Sequence, residues 1–132
     1  MGPNVEENRF KLDDFELYQV AREFRKKVYG LIKQLPAAEK YCLDPQMRRA
    51  AISITNNIAE GHGRWHYQEN MQFCRVSRGS VEETLDDLNL CFDEEYAPPE
   101  LIEALKAEGY ALIRRINGYV AYLRKCKQGE ND

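Results

Sequence analysis

Between residues 17 and 35 the apolar side chains Leu17, Ala21, Phe24, Val28, Leu31 and Leu35 follow one another at spacings of 4-3-4-3-4. That period lays them in one stripe along an α-helix, whereas a strand would scatter them over both of its faces. Three more segments repeat the pattern: Met47, Ala51, Ile54, Ile58; then Met71, Cys74, Arg78, Val81, Leu85, Leu88, Phe92; then Leu101, Leu105, Leu112, Ile116, Tyr119, Leu123. Asp13 with Glu16 reads as a capping box opening the first helix, and Pro36 stops it. Asp44-Pro45 opens the second, and Gly61 and Gly63 close it. Ala97-Pro98-Pro99 precedes the fourth. Linkers are short, so successive helices should lie antiparallel. The expectation is all-α: an up-down-up-down antiparallel four-helix bundle over residues 13–127, with a disordered lead at 1–12 and a short polar tail at 128–132.

The 132 residues suffice for one domain with a real core. Hydrophobic residues at 43% and charged residues at 31% describe an ordinary globular chain, and no apolar run approaches the ~20 residues of a membrane-spanning helix. The N-terminus lacks a signal-peptide core. Cys42, Cys74, Cys91 and Cys126 form no C-x-x-C pair, and three of them fall on helical stripes, which suggests reduced, structural thiols and cytoplasmic residence. Net charge is −3, unevenly spread: residues 67–95 hold two Arg against eight acids, and residues 99–127 hold six basic residues against three acids. Complementary faces of two helices in one bundle would explain that split. An acidic chain lacks the usual electrostatic footprint of non-specific nucleic-acid binding.

The stretch SITNNIAEGHGRW (residues 53–65) is polar where a core helix should be apolar. Arg49, Ser53, Asn56, Asn57 and Glu60 share one helical face, and short Ser and Asn side chains suit close packing better than a solvated surface. Arg78 occupies a position in the third apolar seam, where a buried guanidinium needs a carboxylate partner. The expected arrangement is a buried network in which Arg78 pairs with Glu60, with Asn57 and Ser53 satisfying the remaining groups. Loss of Arg78 would then unfold or dissociate the protein. Apolar residues off the main seams, Phe73 and Val76 on the third helix and Tyr110, Ile113 and Val120 on the fourth, suggest burial against a neighbouring subunit.

Reactive chemistry is poorly represented. His62 and His66 lie in a turn without further ligands, and the bundle metal motif Glu-x-x-His is absent, so neither metal nor cofactor is expected. Glu82-Glu83 and Asp86-Asp87 are adjacent pairs whose members point ~100° apart on a helix. Ser53, Ser77 and Ser80 have no evident His partner, and Gly61-His62-Gly63 is a poor phosphate loop. No catalytic residue is assigned. The clusters Arg25-Lys26-Lys27, Arg48-Arg49, Arg114-Arg115 and Arg124-Lys125-Lys127 are either solvated helix faces or parts of a positive patch, with Arg64 joining if it points outward.

The runs QMRRAAISITNNIAEGHGR and NMQFCRVSRGSVEETLDDL resemble the bacterial four-helix-bundle family encoded in intervening sequences of 23S ribosomal RNA genes. Asn57-Ile58-Ala59-Glu60-Gly61 and Arg78-Gly79-Ser80 look like its hallmarks, and the first helix matches too, so that the resemblance spans residues 13–95 and weakens across the fourth helix. It implies a homopentameric ring around a channel. More distant relatives are the accessory variability determinant proteins of diversity-generating retroelements, basic pentamers that bind a reverse transcriptase and nucleic acid. This chain departs from the pattern at Thr55, where the family often has Pro, so the helix should be straighter. It also has Trp65-His66-Tyr67-Gln68 where the family is rich in Lys, Arg and Ser. That exchange favours a protein or subunit contact at the hairpin tip, through Trp65, Tyr67, Phe73 and Tyr110. The resulting expectation is a cytoplasmic, non-enzymatic homo-oligomeric scaffold that binds another macromolecule, such as a reverse transcriptase. The alternative is an RNA- or DNA-binding accessory protein using Arg25, Lys26, Lys27, Arg48, Arg49, Arg64, Arg114 and Arg115.

Overall fold

A computed structural model describes residues 11–131, with side chains to residue 129. Among the described residues there are four α-helices and no strand: α1 (Glu16–Ile32), α2 (Leu43–His62), α3 (Tyr67–Asp93) and α4 (Pro99–Asn131). Short 3-10 turns, Leu12–Asp14 and Ala37–Glu39, precede α1 and α2. Residues 1–10 of the expected lead lie outside the described residues. The fourth helix continues past residue 127, where the sequence pattern had placed the start of a tail.

Cross-helix contacts run in opposite directions along every neighbouring pair, which makes the bundle antiparallel throughout. Arg25 meets Thr55 and Tyr29 meets Arg48 between α1 and α2. Ser77 meets Ile54 and Asp87 meets Gln46 between α2 and α3. Asn70 meets Tyr119 and Arg78 meets Asn117 between α3 and α4. Lys27 meets Glu108 and Glu16 meets Arg115 between α1 and α4. One core joins all four helices, from Leu17, Phe24 and Val28 through Met47, Ile54 and Ile58 to Leu88, Leu112 and Ile116.

Helix ends are made differently from the sequence expectation. Phe15, not Asp13, stands before α1, and no side chain caps that end; Gln19 Nε2 instead donates to the Asp13 carbonyl at 2.8 Å. Helix α1 stops at Ile32, and Leu35 packs on the core from the following turn. Gly63, after α2, has an ordinary helical φ of −76° rather than a left-handed one. The left-handed cap belongs to Glu95 after α3, at φ 58°, where the Tyr96 amide reaches back to the Cys91 carbonyl. Helix α2 runs unbroken through Thr55, whose hydroxyl donates to the Ile52 carbonyl at 3.2 Å.

Helices α2 and α3 approach closely. Ser77 is fully buried and its Oγ donates to the Ile54 carbonyl at 2.7 Å, while Ser80 Oγ donates to Ser53 Oγ at 2.7 Å. At the hairpin end, a Cβ on Gly61 would lie 2.6 Å from Asn70 Oδ1 and 3.2 Å from both the Asn70 carbonyl and Phe73 Cβ. Asn70 has no room to retreat, being buried and hydrogen-bonded to Tyr119. Gly61→Ala therefore meets a collision costing about 1–3 kcal/mol, against a helix-propensity gain of about 1 kcal/mol. A lower denaturant midpoint for Gly61→Ala is the expected outcome; an equal or higher midpoint would mean that the two helices are not held this close.

Candidate functional site

The expected Arg78–Glu60 pair does not form. Arg78 is only half-buried, and its Nη1 donates to Asn117 Oδ1 on α4 at 2.7 Å. Glu60 is exposed and accepts from Arg64 at 3.1 Å, one turn along its own helix. The cause is the phase of the α3 seam. Cys74-Ser77-Val81, spaced 3-4, fits the helical repeat as well as Cys74-Arg78-Val81, spaced 4-3, and the small polar residue takes the interior position. Phe92 is likewise 47% exposed, because Cys91 occupies the seam in its place. Val120, set outside the fourth seam by its sequence position, lies within the core.

The rest of the polar network is present in a neutral form. Asn57 Nδ2 donates to the Ser53 carbonyl at 2.8 Å and to Ser53 Oγ at 3.0 Å, and Ser80 closes the chain from α3. Residues 77, 80, 84 and 87 follow at 3-4-3 spacing and are all buried, so a polar stripe mirrors the apolar one. Thr84 Oγ1 donates to the Ser80 carbonyl at 2.9 Å. Counting apolar residues alone passes over this stripe, although its period is visible in the sequence.

Asp87 ends the stripe and is 2% exposed. Gln46 Nε2 donates to its Oδ1 at 2.7 Å, but Oδ2 has no hydrogen-bond partner. Burial, reinforced by the charges of Asp86 and Glu83, pushes this carboxyl above the usual carboxylate range, and the Gln46 bond only partly offsets it. Burial also pushes the Cys74 and Cys91 thiols up to about 11, which suits inert packing groups. Nearby, Tyr96 Oη donates to Glu39 Oε2 at 2.6 Å, fastening the α3–α4 connection to the α1–α2 connection and pushing the phenol up to about 12.

The basic clusters divide rather than converge as a whole. Arg25, Lys26, Arg48 and Arg49 come together with Lys33 on the face shared by α1 and α2. They line two open depressions that meet at the exposed Ile52 and include Tyr29, Ser53 and Asn57. Arg48 lies 5.0 Å from the Tyr29 ring centroid and bonds Asp44 at 2.7 Å, which raises the basicity of the guanidinium. Arg25 Nη1 donates to Thr55 Oγ1 at 2.9 Å. Lys27 turns away to Glu108, Arg64 to Glu60 at the hairpin, and Arg114 and Arg115 lie on α4, the latter paired with Glu16.

Of the four residues expected at an interface, Trp65 is 49% exposed and Tyr110 is exposed as well. Tyr67 packs on the core. Phe73 is half-buried beneath the Arg64 guanidinium, at 5.1 Å. His62 stacks on Phe15 at 5.0 Å, which gives it a packing role in the turn. Among the described residues no group of three or more His, Cys, Asp or Glu is placed to hold a metal, and no helix is long and apolar enough to cross a membrane.

Two outcomes follow from these placements. Arg78→Ala, which removes a half-exposed hydrogen bond and no buried charge pair, should cost no more than about 1.5 kcal/mol in urea unfolding; a loss of fold would restore the buried-pair picture. A folded-state pKa above the unfolded one means that Asp87 ionisation opposes folding. Stability should therefore rise as pH falls from neutrality through that raised pKa, a gain that is complete once the unfolded carboxyl is also protonated. Asp87→Asn should remove this dependence and raise stability at pH 7 by about 1 kcal/mol. Melting curves of both proteins against pH read this directly, and a variant that retains the wild-type pH dependence refutes it.

The comparisons with known proteins bear on this arrangement. The family model described as "23S rRNA-intervening sequence protein" matches residues 13–118, which takes in α1 to α3 and more than half of α4. No curated protein matches the sequence. A crystal structure from Bacteroides thetaiotaomicron VPI-5482, titled a protein with unknown function from the S23 ribosomal protein family, superposes with a TM-score of 0.73. It is 19% identical, and the match covers 79% of this chain and 97% of that one, a likeness that speaks for the fold alone. With most of its length matched by the family model, this chain belongs to the 23S rRNA-intervening sequence protein family.

Proposed function

We propose that the chain is a non-enzymatic cytoplasmic scaffold, a subunit of a homo-oligomer that binds another macromolecule. The observation that carries this reading is the distribution of large apolar side chains left in water. Tyr41 and Ile52 lie on the α2 side, Val76, Leu90 and Phe92 on α3, Tyr110 and Tyr122 on α4, and Trp65 at the α2–α3 turn. Among the described residues, eight such side chains are spread over three helices and the turn, and large aromatic side chains of this kind are enriched in association surfaces. The depressions on α1 and α2 are lined by groups that bind and orient, with no nucleophile beside a base. The family resemblance adds a pentameric ring as the favoured closed form.

A second reading, binding of RNA or DNA, is supported by the gathering of Arg25, Lys26, Lys33, Arg48 and Arg49 on one face. Phosphate contacts by several such groups would make binding strongly salt-dependent.

Native mass spectrometry of the purified chain tests the first reading. A particle at a multiple of 15.4 kDa is expected, and a monomer throughout the micromolar range would overturn it. For the second, log affinity for single-stranded RNA should fall with log salt at about 0.7 per phosphate contacted; no retention at low salt discards it.

A further inference from the structure

We infer that the basic face of α1 and α2 is a docking surface for the acidic outer face of α3 on a second copy of this chain, in a head-to-tail contact. This rests on the homo-oligomer reading above and assigns the two surfaces that meet.

The basic face carries Arg25, Lys26, Lys33, Arg48 and Arg49 around Tyr29 and Ile52. The exposed Arg22 stands seven residues before Tyr29, on the same side of α1 by the helical repeat. Glu23 and Asp44 are the acids paired with Lys26 and Arg48. Arg22, Lys33 and Arg49 make no ion pair among the described residues. On α3, Glu82, Glu83, Asp86 and Asp93 are all exposed and equally lack an ion pair among the described residues, with Val76 and Leu90 exposed beside them. Each face thus lacks what the other supplies, and each pairs its charge with exposed apolar atoms.

Gly79 on the outer face of α3 and Gly30 on the outer face of α1 leave open space where a Cβ would stand, as Gly118 and Gly129 on α4 also do. At Gly79 and Gly30 that space falls within the two proposed faces, where a neighbour's backbone can approach closely. A nucleic acid on the basic face would leave the acidic strip unexplained, and Glu23 and Asp44 would face its phosphates. Because the two surfaces are different patches on one molecule, the contact is heterologous and closes into a ring when its rotation permits.

Charge reversal tests the pairing. Arg22→Glu/Lys33→Glu/Arg49→Glu makes both faces acidic, and Glu82→Lys/Glu83→Lys/Asp86→Lys makes both basic. Each triple variant, confirmed helical by circular dichroism, should lose self-association by about 100-fold or more in sedimentation velocity. Combining all six changes in one chain should restore it, and mixing the two triple variants should restore alternating contacts in open chains or even-numbered rings, since a five-membered ring cannot alternate. If either triple is unfolded, Arg49→Glu and Glu83→Lys made in separate chains and then mixed give the same comparison. Gly79→Ala should raise the melting temperature of the subunit while weakening assembly. A monomeric wild type would remove the homo-oligomer reading itself. A wild-type oligomer that survives both triples, or dissociation that neither mixing nor the sixfold change reverses, would leave that reading standing and overturn this assignment of faces. So would unchanged assembly in Gly79→Ala, or a basic-face variant that stays assembled and loses only RNA retention.

Discussion

The bundle depends on the close approach of α2 and α3, and that approach depends on side chains small enough to permit it. Ser77 directs its hydroxyl onto the Ile54 carbonyl, an acceptor already used within α2 whose second lone pair is free for it. Ser80 meets Ser53, and Gly61 leaves room for Asn70. Any larger residue at these points would drive the helices apart and open space around Met47, Ile54 and Val81, all of them fully buried. Close packing tolerates such voids poorly. The polarity of the residue 53–65 segment is thus a packing device: hydroxyl and amide groups bond across a seam too narrow for leucine.

The periodic apolar spacing made the four helices, their order and their antiparallel packing legible in advance, because that signal depends only on the helical repeat. Phase within a seam was not legible. Arg78 and Ser77 are equally good helically, and a reading that ranks positions by hydrophobic or charged character passes over serine. The Asp13 capping box failed for a related reason, since the chain enters α1 through the buried Phe15 and its contacts with His62 and Tyr119 decide the entry angle. Gln46–Asp87 and Tyr96–Glu39 join residues 41 and 57 positions apart. No local pattern encodes such pairs; only the bundle brings them together.

Charge shows the same limit from another side. The negative α3 and positive α4 are neighbours in sequence and in space, and suggest mutual neutralisation. Yet among the described residues the inter-helix ion pairs link α1 to α4, through Lys27–Glu108 and Glu16–Arg115. Those two helices are joined by no short loop, so these pairs sit where the bundle must close on itself. Exposed pairs of this kind add little stability each, but they favour the neighbour arrangement in which α4 returns to α1. Glu82, Glu83, Asp86 and Asp93 of α3 point outward and are left out of this closure. A net charge of −3 is therefore a poor description of the surface a partner meets, because it averages a basic α1–α2 face with an acidic α3 face. The helical phase that buries Ser77 and Val81 also sets where Glu82, Glu83 and Asp86 must point. Interior packing and outer charge are in this way consequences of one choice of register.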